Sequence, residues 1–263
     1  MTLCSDDVRR QREHYDALAP LYLENLGYPH TQEYTEYLDD VFLELVGGET
    51  LGATAELCCG QGEALRLLGR RVEGGVGVDV SLEMLKAGAA SEGGRRFALL
   101  QADATRLPLA DASFDSVVML GGIHHVSDRR GLFREVARIL RPGGRFLWRE
   151  PVSDFWLWRA LRSVVYRVSP TLDAESERPL LHRETAPVLE AAGLELRTWR
   201  TLGFLGFCLL MNSDVLVANR LLRFVPGIQA LARAAARFDE LCVRLPGMGR
   251  AGVQLVGEAV KPR

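Results

Sequence analysis

The stretch Ala53–Glu63, A-T-A-E-L-C-C-G-Q-G-E, reads as a short buried strand, a tight glycine turn and the start of a helix. The strand runs from Ala53 to Cys58 and carries a carboxylate, Glu56, near its end. Gly60 and Gly62 follow at the spacing that lets a backbone approach a nucleotide-like ligand, because glycine reaches conformations closed to other residues. The helix starting near Glu63 then aims its unpaired N-terminal amides at whatever lies there. A G-x-G turn also ends strands in any α/β protein, so the segments after it decide the reading.

Seventeen residues after Gly62, G-V-G-V-D-V-S ends a second apolar strand on Asp79, where a carboxylate can accept both hydroxyls of a ribose. Ser81 is placed to cap the next helix, with Glu83 and Met84 in its first turn. A third strand, Arg96–Gln101, leads to Asp103, and Q-A-D-A-T-R-L-P-L-A-D-A-S-F-D-S-V runs into a fourth, Ser116–Leu120. Ser127 is expected to cap a helix reaching about Leu140, after which R-P-G-G turns the chain into a fifth strand, Arg145–Glu150. A helix over Thr185–Ala192 precedes a sixth strand, Leu194–Arg200, and the final strand is expected over Gly252–Val260. Ahead of all this stand two helices, Ser5–Ala19 and Thr31–Val46. The second has Tyr34, Tyr37, Leu38, Val41, Phe42 and Leu45 spaced to face a sheet, and Gly47 and Gly48 stop it. Strands alternating with helices require a parallel sheet with right-handed crossovers.

Taken together, E-L-C-C-G-Q-G, G-V-D-V-S-L-E-M-L, D-A-T-R-L-P-L-A-D-A-S-F-D-S-V, G-I-H-H-V-S-D and L-R-P-G-G-R-F resemble the class I S-adenosylmethionine-dependent methyltransferases. The likeness is to the small-molecule group that includes the ubiquinone and menaquinone enzymes, and it covers about Ala53 to Pro151. It implies an α/β, Rossmann-like seven-stranded sheet of order 3-2-1-4-5-7-6 with the last strand antiparallel. It also implies S-adenosylmethionine as cofactor, leaving as S-adenosylhomocysteine. Residue by residue, Glu56 is expected to reach the methionine ammonium through water or neighbouring backbone, and Cys58, Gly60 and Gly62 to line the turn. Asp79 takes the ribose, Val80 and Met84 sandwich the adenine, Asp103 accepts from its amine and the Ala104 amide donates to the ring. The main chain at Leu120 and Gly121 borders the methionine end. The family usually has glycine where this chain has Cys58, so a thiol must fit beside the cofactor.

A nicotinamide dehydrogenase shares the first strand, the turn and the acidic residue, but its fingerprint wants a third glycine three residues after Gly62, where Leu65 stands. Formal charge is −2, so no global field favours nucleic acid, and no Asn-Pro-Pro-Tyr-like tetrad supports a nucleic-acid or protein substrate. Five scattered cysteines suit a reducing compartment, and adjacent Cys58 and Cys59 lack zinc-ligand spacing, so no metal is expected. The N-terminus lacks an apolar signal core and no apolar run reaches the ~18 residues of a membrane span, which predicts a cytoplasmic protein.

The expected organisation is one methyltransferase domain. Residues 1–50 form N-terminal lid helices, 51–151 the cofactor core, 152–182 and 203–250 cap segments, and 183–202 and 251–263 the C-terminal core strands. By resemblance H-Y-D-A-L-A-P-L-Y belongs to the lid, which makes Tyr15 and Tyr22 candidates for the substrate chamber, or equally tyrosines packed on the core. His124 and His125 follow the fourth strand at the expected substrate mouth, and histidine titrates in the range a general base needs. Either acts as base or merely orients the loop, and Glu150 is a further substrate-side candidate. The cap helix is expected to carry Leu231, Ala235, Phe238, Leu241, Cys242 and Leu245 on one stripe, with Arg233, Arg237 and Arg244 off it. Trp156, Trp158, Phe204, Phe207 and Phe238 beside arginines give the caps the composition of a surface resting at lipid headgroups. The acceptor is then a small lipophilic molecule: quinone-like, polyketide or lipid. The alternative is a protein of this fold that binds the cofactor without methylating.

Overall fold

Along β4 (Phe114–Leu120) successive side chains enter opposite layers: Val117 and Met119 join one core cluster and Val118 the other. That period of two is the signature of a central strand covered on both faces. The computed structural model describes residues 6–91, 96–160, 178–211 and 217–263, with 6, 7, 18–23 and 217–220 described by backbone alone. β4 sits in a seven-stranded sheet of order β3-β2-β1-β4-β5-β7-β6. The other strands are β1 (Gly52–Leu57), β2 (Val72–Asp79), β3 (Ala98–Gln101), β5 (Leu140–Pro151), β6 (Glu195–Leu202) and β7 (Gln254–Val260). β7 runs antiparallel to both neighbours, and the remaining pairs are parallel. The order expected from the sequence is the one observed.

One layer holds α5 (Arg129–Ile139) and α6 (His182–Ala191), which bury Phe133 and Leu189 against Phe146 and Trp148. Each large side chain buried this way contributes about 1.5–3 kcal/mol. The other layer holds α2 (Pro29–Val46) and α3 (Glu63–Leu68), which set Leu38, Phe42 and Leu65 on Val118, Leu147 and Val256. α7 (Leu205–Leu210) and α8 (Ile228–Arg244) extend that layer through Tyr34, Leu210, Ile228, Ala232 and Ala236. Asp239 fastens them: fully buried, it accepts from the backbone amides of Phe204, Gly206 and Phe207 and from the Tyr34 hydroxyl.

Several boundaries differ from expectation. α1 spans Asp6–Leu26 and continues through Pro20 instead of stopping at Ala19. Proline removes one donor from a helix, a loss that a 21-residue helix tied elsewhere to the core absorbs. The cap of α5 is Asp128, which accepts from the Gly131 amide, and not Ser127. Most of the apolar stripe expected on α8 faces outward. The helix buries Ile228, Ala232, Ala236, Asp239 and Val243, while Leu231, Phe238, Leu241 and Leu245 are more than half exposed. The inner face sets small alanines and a buried aspartate between Ile228 and Val243, so hydrophobicity alone does not tell which side docks. Arg162 and Arg167 of the first cap segment and the proposed Ser5 cap lie outside the described residues.

Candidate active site

β1 delivers the glycine turn. Cys58 (φ 50°), Gly60 (φ 52°) and Gly62 (φ 80°) all sit in the left-handed region, and for a cysteine that costs about 1–3 kcal/mol. Glu56 does not look into the site. It is fully buried, and its two oxygens accept from the Ala64 amide at 2.8 Å and the Leu65 amide at 2.9 Å. It thereby serves as the cap that Gly62, with no side chain, cannot give α3. Burial pushes its carboxyl up to about 8, against the pull of those two amides.

β2 ends on Asp79, half-buried, with one oxygen accepting from the Gly60 amide at 2.8 Å and the other from the Ser81 amide at 2.9 Å. Burial raises its carboxyl above the usual range, and Asp16 adds to the rise. Ser81 caps α4 (Leu82–Ala90) as expected, accepting from the Met84 amide. Met84 is buried beneath the turn, 3.1 Å from where a Cβ on Gly60 would stand, and Val80 is half-buried beside it. Asp103 Oδ1 accepts from both the amide and the hydroxyl of Thr105 at 2.8 Å, which leaves Oδ2 for an amine. Ala104 is buried in the core cluster below. Leu120 closes β4, and Gly121 (φ 74°) donates its amide to Arg149 O. An added Cβ at Gly62 or Gly121 would meet nothing within 4 Å. Open space above these glycines, beside a partly dehydrated carboxylate, fits a cofactor carrying a ribose and a charged tail.

After β4 the chain makes a turn of 3-10 helix, Ile123–His125, held from below. Glu150, expected to face substrate, is instead fully buried under this turn. Its Oε1 accepts from the Gly122 and Ile123 amides, each at 2.7 Å, and its Oε2 lies 2.8 Å from His124 Nδ1. Burial pushes this carboxyl up to about 7, while the amides of Ile123, Gly122 and His124 and the nearby His125 oppose the rise. His125 packs against His124 with the rings tilted, centroids 3.7 Å apart, and is held well below its ordinary range, first by burial and then by His124. Its Nε2 lies 2.5 Å from the Tyr15 hydroxyl on α1. Of the two lid tyrosines, Tyr15 therefore reaches the site, while the side chain of Tyr22 lies outside the described residues.

Two participants escaped the sequence reading. Asp16, next to Tyr15, accepts from the Ser81 hydroxyl at 2.5 Å and the Glu83 amide at 3.3 Å, pinning α1 over the end of β2. Gly122 faces Cys58 so closely that an added Cβ would stand 2.5 Å from Cys58 Cβ. The G-G doublet after β4 was the available signal for the second; nothing in the sequence marked the first.

Residues 55–148 match the family described as a methyltransferase domain. The demethylmenaquinone methyltransferase of Mycolicibacterium vanbaalenii is 38% identical over 143 residues, which are 48% of this chain and 61% of that protein. The chain thus spans about three fifths of the length of this curated relative. Among solved structures, an S-adenosylmethionine-dependent methyltransferase of Thermotoga maritima superposes with a TM-score of 0.61 at 19% identity, over 95% of this chain and 99% of that one. The [4+2]-cyclase SpnF superposes with a TM-score of 0.62 at 21% identity, over 95% and 94%. Among the described residues no helix is long and apolar enough to cross a membrane.

Proposed function

Residues 55–148 are a methyltransferase domain of the class I, S-adenosylmethionine-dependent kind, and from that premise we propose that the chain methylates a small lipophilic, quinone-like acceptor with His124 as base. When bound, S-adenosylmethionine supplies an electrophilic methyl on a sulfonium that is its own leaving group. The protein has to hold the acceptor in line, keep water away and take up one proton.

The observation that carries the base assignment is the 2.8 Å contact between His124 Nδ1 and Glu150. With Nδ1–H donated to that carboxylate, Nε2 keeps its lone pair and can accept the proton of an acceptor hydroxyl or phenol. Glu150 does not touch the reacting atoms; it is a positioning residue. Neutral His125, paired with Tyr15, closes the neighbouring wall. Asp79, Gly60, Gly62, Met84, Asp103 and Gly121 hold the cofactor, and Glu56 acts on it only through the turn it fastens. The acceptor class is supported by the relative's name, demethylmenaquinone methyltransferase, and by the apolar cap segments.

The test is release of S-adenosylhomocysteine with a demethylated naphthoquinol as acceptor, in wild type and in His124→Ala. The second reading, cofactor binding without transfer, is favoured by Cys58 wedged against Gly122. Tight cofactor binding with no product from any quinol, phenol or cell extract would select it.

A further inference from the structure

α8 turns its larger apolar side chains outward. Among the described residues, all but Leu82 of the twelve large apolar side chains that stand exposed lie between Trp156 and Leu245. Four of them, Leu231, Phe238, Leu241 and Leu245, are 55, 53, 66 and 57% exposed and recur at helical spacing, so they form one outward stripe. They are no part of the core. α8 has already buried a different face on α2 and β6.

The border of this stripe is basic. Arg233, Arg237 and Arg244 follow one another along its flank, and Arg250 lies just beyond the helix. Between residues 228 and 250 the only acids are Asp239 and Glu240. Asp239 is fully buried on backbone amides and the Tyr34 hydroxyl, and the Glu240 side chain is 16% exposed. Arg233 and Arg244 bond Glu33 and Glu240 yet stay 54% and 68% exposed, while Arg237 makes no ion pair with a described residue. The first cap segment also exposes an aromatic residue. Trp158 packs edge-on against Phe204, 5.1 Å between ring centroids, just ahead of α7, and its neighbour Trp156 points outward.

We propose that the outer face of α8 docks on an anionic membrane surface. The stripe would enter the headgroup boundary and the arginines would meet lipid phosphates. An apolar stripe with a one-sided arginine fringe is the composition that lies in the interface plane, whereas a face covered by a partner protein has no need of a single sign of charge. This deepens the proposal of a lipophilic acceptor, but vesicle binding is read without any methyl transfer, so the two can fail separately.

The experiment is co-sedimentation of the full chain with phosphatidylcholine vesicles, with and without phosphatidylglycerol, at low and high salt. The expected result is pelleting with the anionic vesicles at low salt and a severalfold fall at high salt. Leu241→Glu and Phe238→Glu, both at exposed positions, should each lower partitioning about tenfold or more with melting temperature unchanged. Arg237→Glu should reduce binding at low salt only. No pelleting on anionic vesicles at low salt, or undiminished pelleting of Leu241→Glu, overturns the proposal. So does a concentration-dependent dimer in sedimentation velocity that Leu241→Glu dissolves, since the stripe would then be covered by a second copy.

Discussion

The Tyr15 hydroxyl on α1 lies 2.5 Å from His125 Nε2 on the turn after β4, joining the N-terminal helix to the site across 110 residues of chain. Because burial keeps His125 neutral, this contact needs no charge and persists through neutral pH. Tyr15→Phe removes the bond and leaves the ring. A hydrogen bond of this kind contributes about 0.5–1.5 kcal/mol, so the variant should bind S-adenosylmethionine about 2–10-fold more weakly. Calorimetric titration reads this directly, and an unchanged dissociation constant would show that α1 does not close over the cofactor.

Cys58 and Gly122 should behave as one unit. Gly122→Ala alone places a Cβ 2.5 Å from Cys58 Cβ, and the backbone on one side must move. The expected loss is about 1–3 kcal/mol of stability, as for other overpacked sites. In the double variant Cys58→Gly, Gly122→Ala the clash is gone and so is the left-handed cysteine, and most of the loss should return. Thermal melting of the four proteins in the cycle measures the coupling; strict additivity would mean that the two residues do not press on each other.

Stability should fall as pH rises through neutrality. The carboxyls of Glu150 and Glu56 are pushed up to about 7 and about 8 by burial, above their values in the unfolded chain. A group raised on folding stabilises fully below its unfolded pKa, and that contribution is lost as pH climbs through the folded pKa. Melting temperature should therefore decline between about pH 4.5 and pH 8 from these two groups. Glu56→Gln costs one of the two amide bonds but cannot ionise, so its profile should be flatter over the same window. A wild-type profile that rises with pH there, with Glu56→Gln parallel to it, would contradict the assignment.

Asp79→Ala should nearly abolish cofactor binding. The mutation strands two ribose hydroxyls and the amides of Gly60 and Ser81, at about 1–3 kcal/mol for each buried polar group left unpaired. Titration with S-adenosylhomocysteine checks it, and wild-type affinity in the variant removes Asp79 from the site.

How much of this was legible in the sequence follows from what each residue touches. Asp79, Ser81, Met84 and the glycine turn could be placed because they act within a few residues of one strand end, so spacing in the chain fixes spacing in the molecule. The strand order followed from resemblance and from the βα alternation. Glu56 and Glu150 were recognised as strand-end carboxylates, but their direction was not legible: each turns inward onto amides, those of the first turn of α3 8 residues away and those of the turn after β4 28 residues back. Asp16 depends on a tertiary contact 65 residues off and left no local mark. On α8 the apolar stripe was legible but the docking face was not: the larger side chains of the stripe stand outside, while Ile228, Ala232, Ala236, Asp239 and Val243 lie inside. The inner face is selected by close approach to Tyr34 and by Asp239, which no moment of hydrophobicity registers.

The most direct test of the account is transfer of a labelled methyl group from S-adenosylmethionine to a demethylated naphthoquinol, followed in wild type and His124→Ala with cofactor affinity measured alongside. Label in the organic extract should match an equal amount of S-adenosylhomocysteine, and turnover in His124→Ala should be lower by roughly 10²–10⁴-fold at unchanged affinity. Cofactor bound by the wild type with no label transferred to any quinol or phenol, or full turnover in His124→Ala, would contradict it.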